Sequence, residues 1–523
     1  MSNPEPGGPL YQQKISLQHL RQAILQAQNL EAVQKIRREN AFLINHIASN
    51  LLSQHAPLQS AHQRFSDKQK FQFACFLLAA ATGFILVPVM TAVVFLFALQ
   101  FFFIAVLVFR LWLVQKSLQP NNIFEKPCPL IRHDRNLPVI TILIPLYKEQ
   151  AAIPHLVKAM NRLDYPAAKL DIKILLEQDD ETTIAAARHA FRDAYYDLIL
   201  VPPFGPRTKP KACNHGLWTA RGTYVVIYDA EDRPEPDQLK KAIAAFARDG
   251  PRLACVQARL NYFNRNRNWL TRLFAIEYAL LFDFILPGLT TINAPIPLGG
   301  TSNFFRTDAL LSLGGWDAYN VTEDADLGMR LARAGLQTAM IDSTTWEEAV
   351  CAARPWLRQR SRWTKGYIQT WLVHMRAGFD PLRQQSWLFA ASLHLLVAGV
   401  AITGLVNPIF WAVFAASLAG LIDVSPLFPP SIAVLAGFSF LVGNFFHLYL
   451  YLAAPMRRRW YGLLGFGLLA PIYWIMQSVG AWMALWQFIT KPFYWEKTNH
   501  FERPDKIPPA ANAKAKPQAA RVP

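Results

Sequence analysis

The sequence predicts an α/β domain with a mixed, mostly parallel sheet, inserted between blocks of membrane-spanning helix. Three observations carry that expectation. No charged residue occurs from 71 to 109, a run of 39, nor within 384–422, 424–456 or 460–490, and one span needs only about 20 apolar residues. Between these blocks, in 130–380, near-continuous apolar strand-like runs alternate with helical ones, as in a sheet covered on both faces. The whole chain of 523 residues is 52% hydrophobic and only 17% charged, against about 25% charged in ordinary soluble proteins.

Composition also excludes several classes. A disordered chain would be charge-rich and poor in aromatics. Five scattered cysteines form no CxxC pair and no disulfide framework. The net charge of +17 would suggest nucleic acid in a soluble protein. In one this apolar it reads instead as positive charge beside membrane spans, with no nucleic-acid partner. The N-terminus lacks a basic start followed by an apolar core, so no cleavable signal peptide is expected. Residues 1–69 read as a cytosolic helical region, helical over 15–55, with a docking or capping role.

The membrane elements come next in chain order. Residues 70–116 form a hairpin turning near Pro88. Positive charge on the N-terminal side and at Arg457, Arg458 and Arg459 puts 130–380 in the cytosol. The region 384–490 then crosses out as a long helix broken near Asn407-Pro408, turns at Asp423–Pro430, and returns. The block 460–490 dips in and out or lies along the interface, giving four crossings and one embedded segment; plain hydropathy alone also allows six. Residues 269–296 read as an interfacial helix at the cytosolic mouth. Residues 491–523 form a gating-like segment and a polar tail.

Within 130–380 the strands are 141–147, 172–178, 198–203 and 224–230, with a helix over 236–248. Ligands of such sheets bind at the carboxyl ends of the strands, and acidic clusters stand there: Glu177-Gln178-Asp179-Asp180 and Asp229-Ala230-Glu231-Asp232. Such carboxylates either hold a hard divalent cation on phosphate oxygens or cap the next helix. Lys209 and Lys211 open a helix after a Pro-Pro turn, either meeting a diphosphate or pointing to solvent. Thr322-Glu323-Asp324 starts another helix, as a general base site or as a cap. Gln359-Arg360-Ser361-Arg362-Trp363 precedes the membrane block and suits either sugar stacking with phosphate binding or interfacial anchoring.

Taken in order, these motifs resemble the processive family 2 glycosyltransferases: cellulose, hyaluronan and poly-N-acetylglucosamine synthases. The resemblance covers about residues 68–500. It implies a GT-A domain that binds a UDP-sugar through Tyr147, Glu149, Asp179, Asp180 and Lys211. It implies Mg²⁺ or Mn²⁺ on the diphosphate, held by Asp229 with Glu231 or Asp232, where Glu231 replaces the family's usual second Asp. It assigns Asp324, with Glu323 beside it, as the base, and Gln359, Arg362 and Trp363 as the residues holding diphosphate and acceptor. Segment 492–498 stands where cellulose synthases carry a gating loop.

The resemblance further implies an inverting hexosyltransferase of the cytoplasmic membrane that elongates, and exports, a β-linked polysaccharide. The alternative uses the same site to move one sugar onto a membrane lipid, diacylglycerol or polyprenyl phosphate. Family members often work with envelope-export partners; nothing in this sequence points to one. A transporter would want ionisable residues in the spans, and the uncharged blocks hold only histidines such as His447. A P-loop is absent from the sequence, which argues against nucleotide hydrolysis.

Overall fold

The computed structural model describes residues 9–119, 136–193, 195–376 and 387–494. The second half of the gating-like segment, the polar tail and the edges of the 130–380 domain lie outside the described residues.

Eight strands form one sheet in the order β3-β2-β1-β4-β7-β6-β8-β5. Strands β1 (Ile140–Leu146), β2 (Leu170–Glu177), β3 (Tyr196–Val201) and β4 (Tyr224–Ile227) are mutually parallel. Strand β7 (Asn303–Arg306) runs antiparallel between β4 and β6 (Leu253–Tyr262). Strand β8 (Gln337–Glu347) lies parallel to β6 and carries the two-residue β5 (Arg233–Pro234) on its other side. Thus the first four strands stand close to the sequence expectation, while β5–β8 complete a mixed sheet that strand-by-strand reading did not reach.

Successive side chains alternate between the two faces of a strand. Ile142, Ile144 and Ile174 enter one core with Leu239 and Phe246. Leu143, Leu175 and Val225 enter the other, which continues without interruption through Phe274 and Trp356 to Leu113, Leu450 and Tyr473 of the apolar helices. The α/β domain and the helices below it therefore share a core.

The N-terminal region is three helices, Pro9–Gln26, Leu30–Glu39 and Ala41–His55, rather than one. Arg37 donates two hydrogen bonds (2.7 and 3.0 Å) to Asp197 of edge strand β3. Asp197 also meets Lys173 (3.2 Å), whose ammonium is fully buried between it and Asp171. Burial opposes the Asp197 charge, but Lys173 and Arg37 hold its carboxyl at about 2.

Among the described residues, five helices are long and apolar enough to cross a membrane: Asp67–Leu86, Pro88–Ser117, Trp269–Thr291, Trp387–Leu418 and Pro430–Arg457; a sixth candidate is the pair Tyr461–Gly467 and Ala470–Thr490, bent by 64°. Asp67–Leu86 has no buried residue, and a helix that exposes Phe73, Leu78 and Ile85 to its surroundings is stable in hydrocarbon and not in water. Trp269–Thr291 is the reverse case, almost wholly buried, so its apolarity belongs to the core. One expectation is corrected. Trp387–Leu418 is not broken at Asn407-Pro408: it runs through Pro408, and the residue four back, which a proline ring crowds, is Gly404. The hairpin's second helix, Pro88–Ser117, extends past the uncharged run and so carries Arg110.

Candidate active site

The carboxyl ends of β1, β2 and β4 converge on a continuous cavity of about 1520 Å³ that extends into the apolar helices. Beyond β4, the backbone N–H of Asp229 donates to Asp232 Oδ2 (2.7 Å), and the Thr301 hydroxyl donates to the same oxygen. Asp232 is therefore turned inward to brace the loop, while Asp229 and Glu231 line the cavity with Glu347 and Glu348 from the end of β8. Burial, then Asp229, pushes Glu231 up to about 8. Burial and the neighbouring acids Asp232 and Glu231 push Glu347 well up. Acids so crowded call for a cation.

Lys209 supplies one. It starts the helix Lys209–Leu217, and its ammonium donates to Asp229 Oδ1 and to Gly300 O (2.7 Å). Burial opposes its charge, yet Asp229 and Glu323 hold its proton more firmly than usual. The other lysine of that helix start lies elsewhere. Lys211 is buried and absent from the cavity lining, and donates to Pro202 O (3.0 Å) and to Glu177 Oε2 (3.3 Å), whose residue does line it. An offset of two helical residues separates the side chains by about 200°, so only one of the pair can face the cleft.

The β2 acids divide similarly. Asp180 caps the helix Glu181–Ala190 through Thr183 N (3.2 Å) and also accepts from the Lys148 N–H. Lys148 sits at φ 52°, a left-handed conformation costly for a side chain. Held there, it turns Tyr147 and Glu149 to the cavity, which both line. Asp179 pairs with Arg207 (2.8 Å) at the rim, and Arg207 lines the cavity. Asp179, Asp180, Lys211 and Asp232 thus stand behind or beside the wall, and Tyr147, Glu149, Asp229 and Glu231 in it.

Opposite, Glu323 and Asp324 open the helix Glu323–Arg333. Both line the cavity, and a Cβ on Gly300 would stand 3.3 Å from Asp324 Oδ2 and 4.0 Å from the Lys209 ammonium, which places Asp324, Lys209 and Gly300 around one small space. Burial, then Asp324, raises Glu323 to about 7; burial also raises Asp324, against Lys209 and Arg362. The long helix Ala353–His374 brings Gln359, Arg362 and Trp363 into the same lining. Gln359 Oε1 is buried with no hydrogen-bond partner among the described residues. Arg360, also in the lining, locks the helix: it donates to Glu277 Oε1 (2.9 Å) and stands 4.6 Å over the Trp363 ring. Glu277 also accepts from Tyr473 (2.7 Å) and Gln477 (2.9 Å) of the last apolar helix.

Phe493 and Tyr494 close one side of the lining. Their backbone is moored by Lys365 to Tyr494 O (2.6 Å) and Gln369 to Pro492 O (3.0 Å). Gln369 Oε1 accepts from Val321 N–H (3.2 Å), so one side chain ties that strap to the loop preceding Asp324.

Residues 224–495 match the family model described as Glycosyl transferase family group 2, which is more than half of the chain. The chain belongs to this glycosyltransferase family. The glycosyltransferase is 27% identical over 291 residues to a probable glycosyltransferase, YdaM, of Bacillus subtilis, covering 54% of this chain and 68% of that protein. It is 27% identical over 247 residues to a probable glucomannan 4-beta-mannosyltransferase of Arabidopsis thaliana, covering 44% of this chain and 43% of the relative. It is also 27% identical over 261 residues to a beta-monoglucosyldiacylglycerol synthase of Synechocystis, covering 48% and 53%. The match therefore spans only about half the length of these last two relatives. One carries a polysaccharide acceptor in its name and the other a lipid. The glycosyltransferase's wall includes groups that the sequence motifs did not single out: Gly300 and the β8 acids Glu347 and Glu348. The strand-end logic that found the other acids would have found the latter had β8 been read as a strand.

Proposed function

We propose that the enzyme transfers a sugar from a UDP-sugar to an acceptor hydroxyl presented from the membrane side of the cavity, and so extends a β-linked polysaccharide at the cytosolic face of the cytoplasmic membrane. The observation that carries this reading is the continuity of the cavity, from Asp229 and Asp324 past Trp363 to Thr403 and Asn407 within the apolar helices. Donor and acceptor would meet from opposite ends.

Asp324 takes the proton of the acceptor hydroxyl. The oxygen attacks the anomeric carbon, the bond from that carbon to the diphosphate oxygen breaks, and UDP leaves with the electron pair. The product is inverted relative to an α-linked donor. Lys209 and Arg362 face the departing charge. Tyr147 and Glu149 flank the nucleotide, and Asp180 acts through the Lys148 turn. Asp179 reaches the donor only from the rim, and Lys211 only through its hold on Glu177.

The donor set fits a hard cation. Among the described residues no group of three or more His, Cys, Asp and Glu side chains gathers as a ready cage. Two carboxylates with substrate phosphates is how Mg²⁺ is commonly held, and Asp229 and Glu231 are the two acids of the loop after β4 that face the cavity, with Asp232 bracing them. A bound Mg²⁺ or Mn²⁺ supplies charge neutralisation on the diphosphate.

A second reading, one sugar moved onto a membrane lipid, is favoured by the apolar lining of the inner cavity, which includes Phe103, Ile104, Phe410 and Phe414. The test is turnover in nanodiscs with Mn²⁺ or Mg²⁺ and a panel of radiolabelled UDP-sugars, with Asp324→Asn as control. Label in a high-mass product cut by a β-glycanase supports the polymer. Label confined to extractable lipid replaces it with the second reading. Turnover by Asp324→Asn removes Asp324 from the role of base.

A further inference from the structure

The inner cavity holds a charge that the transfer reaction does not use. Arg110 lies on Pro88–Ser117, in a stripe with Leu96, Gln100, Phe103 and Leu107 that faces the cavity. Among the described residues it forms no ion pair. Its hydrogen bond is to His447 Nε2 (3.4 Å). Since a guanidinium only donates, Nε2 is the acceptor and Nδ1 carries the hydrogen, which it donates to Gly443 O (2.9 Å). His447 is thus held neutral and offers no compensating charge. The nearby acid in the same lining is Glu277, and its oxygens are taken by Arg360, Tyr473 and Gln477. Glu277 is thus already paired with the Arg360 guanidinium, and the Arg110 charge is left over.

Depth identifies the missing anion. Pro88–Ser117 has 30 residues, about 45 Å at 1.5 Å per residue, against a hydrocarbon core of about 30 Å. With Pro88 at one boundary, the hydrocarbon ends about twenty residues on, near Val108. Arg110 then stands at the level of lipid phosphates, on the side of the α/β domain. Trp474 and Tyr451 line the cavity at His447, the Trp474 ring making edge contacts with His447 (6.1 Å between centroids) and Tyr451 (5.9 Å), in keeping with an interfacial aromatic belt. Toward Pro88 the lining turns apolar, with Ile104, Val400 and Phe440. Along that stretch Gln100, itself buried, keeps an Oε1 without a hydrogen-bond partner among the described residues.

We propose that Arg110 and His447 form a phosphate site for a membrane amphiphile, whose phosphomonoester or phosphodiester head meets the Arg110 guanidinium and whose acyl or prenyl chain lies along the apolar lining. Arginine is the suited residue, because its fork can bind two phosphate oxygens together. The site stands apart from Asp324 and the donor carboxylates, and it does not depend on which acceptor receives the sugar.

The test is native mass spectrometry of the full-length protein in mild detergent, titrated separately with phosphatidylglycerol, a polyprenyl phosphate and uncharged diacylglycerol. UDP-sugar turnover is followed on the same samples. The wild type and Asp324→Asn should each retain one phosphate lipid. Arg110→Gln should retain it at least tenfold more weakly, Arg110→Lys to an intermediate degree, and diacylglycerol retention should be the same in all. Retention by Arg110→Gln equal to wild type, or diacylglycerol held as firmly as the phosphate lipids, overturns the proposal. Arg110→Lys, which keeps the charge, serves if the Gln variant does not fold: a lysine variant as tight for diacylglycerol as for phosphate lipid also overturns it. Transfer of label to the polyprenyl phosphate identifies the bound lipid as acceptor. Retention of phosphatidylglycerol without labelling identifies a resident lipid. Lost turnover with intact phosphate-lipid retention counts against the reading of the active site and leaves this one standing.

Discussion

Removing the carboxylate next to the proposed base should make the enzyme work at lower pH. Glu323 and Asp324 are adjacent and line one cavity, with Glu323 itself buried. Burial and the Asp324 charge lift Glu323 from 4.5 to about 7, and the two titrate as a pair. A rise of that size corresponds to about 3 kcal/mol at 1.36 kcal/mol per tenfold change in proton affinity. Its sign is that of a group that binds its proton more tightly when folded. Its contribution to stability is full below the unfolded value near 4.5 and is lost as pH rises through about 7. Catalysis needs the opposite state, an ionised base, and burial holds Asp324 above the ordinary aspartate range, so activity should rise through an acid limb displaced upward from that of a free aspartate. Glu323→Gln keeps the shape and deletes the like charge. The limb should then move down, toward that of a lone buried Asp324, with the rate at pH 8 kept within a few-fold, while the tryptophan-fluorescence melting temperature should rise at pH 8 and not at pH 5. UDP release against pH, with both variants in nanodiscs, reads the first; thermal melts read the second. An unmoved acid limb refutes the coupling. A Glu323→Gln variant as dead as Asp324→Asn would make Glu323 the base.

The same geometry sets three further outcomes. Lys211→Met should lower stability by roughly 3 kcal/mol, because it strands the Glu177 carboxylate, and should leave the KM for donor near wild type; Lys209→Met should raise that KM more than tenfold, read by initial rates. Gly366→Ala puts a Cβ into the Thr322 side chain and must push the base loop away, so kcat should fall at least tenfold with donor binding by calorimetry retained. Arg360→Ala leaves Glu277 without its cation and Trp363 without its stacked guanidinium; melting should fall by an amount equivalent to about 3 kcal/mol, with acceptor KM raised more than donor KM.

Elements with a local signal were legible in the residues alone. Uncharged runs at 71–109, 384–422 and 424–456 became long apolar helices, and the proline at 88 became the hairpin turn, because exclusion of charge from hydrocarbon acts residue by residue. The parallel half of the sheet, β1 to β4, was legible because strands buried on both faces are near-continuously apolar. So were the helix starts at Lys209 and Glu323. Whatever depends on direction or on distant partners was settled by packing. Lys209 and Lys211 are two residues apart, and only the packing of their helix shows that one meets Asp229 and the other Glu177. Asp232 and Glu231 are neighbours, and only the Thr301 hydroxyl and the Asp229 N–H show which is turned inward. The mixed half of the sheet was not legible, since β7 is four residues long and pairs with strands about 50 and 80 residues away. Trp269–Thr291 is as apolar as a span, and burial alone separates core from lipid face. Arg110 sits at the edge of an uncharged run in the sequence; the helix that carries it past that edge, and the histidine 337 residues on that receives its hydrogen bond, are products of the fold, because side-chain electrostatics depends on what three-dimensional packing brings near.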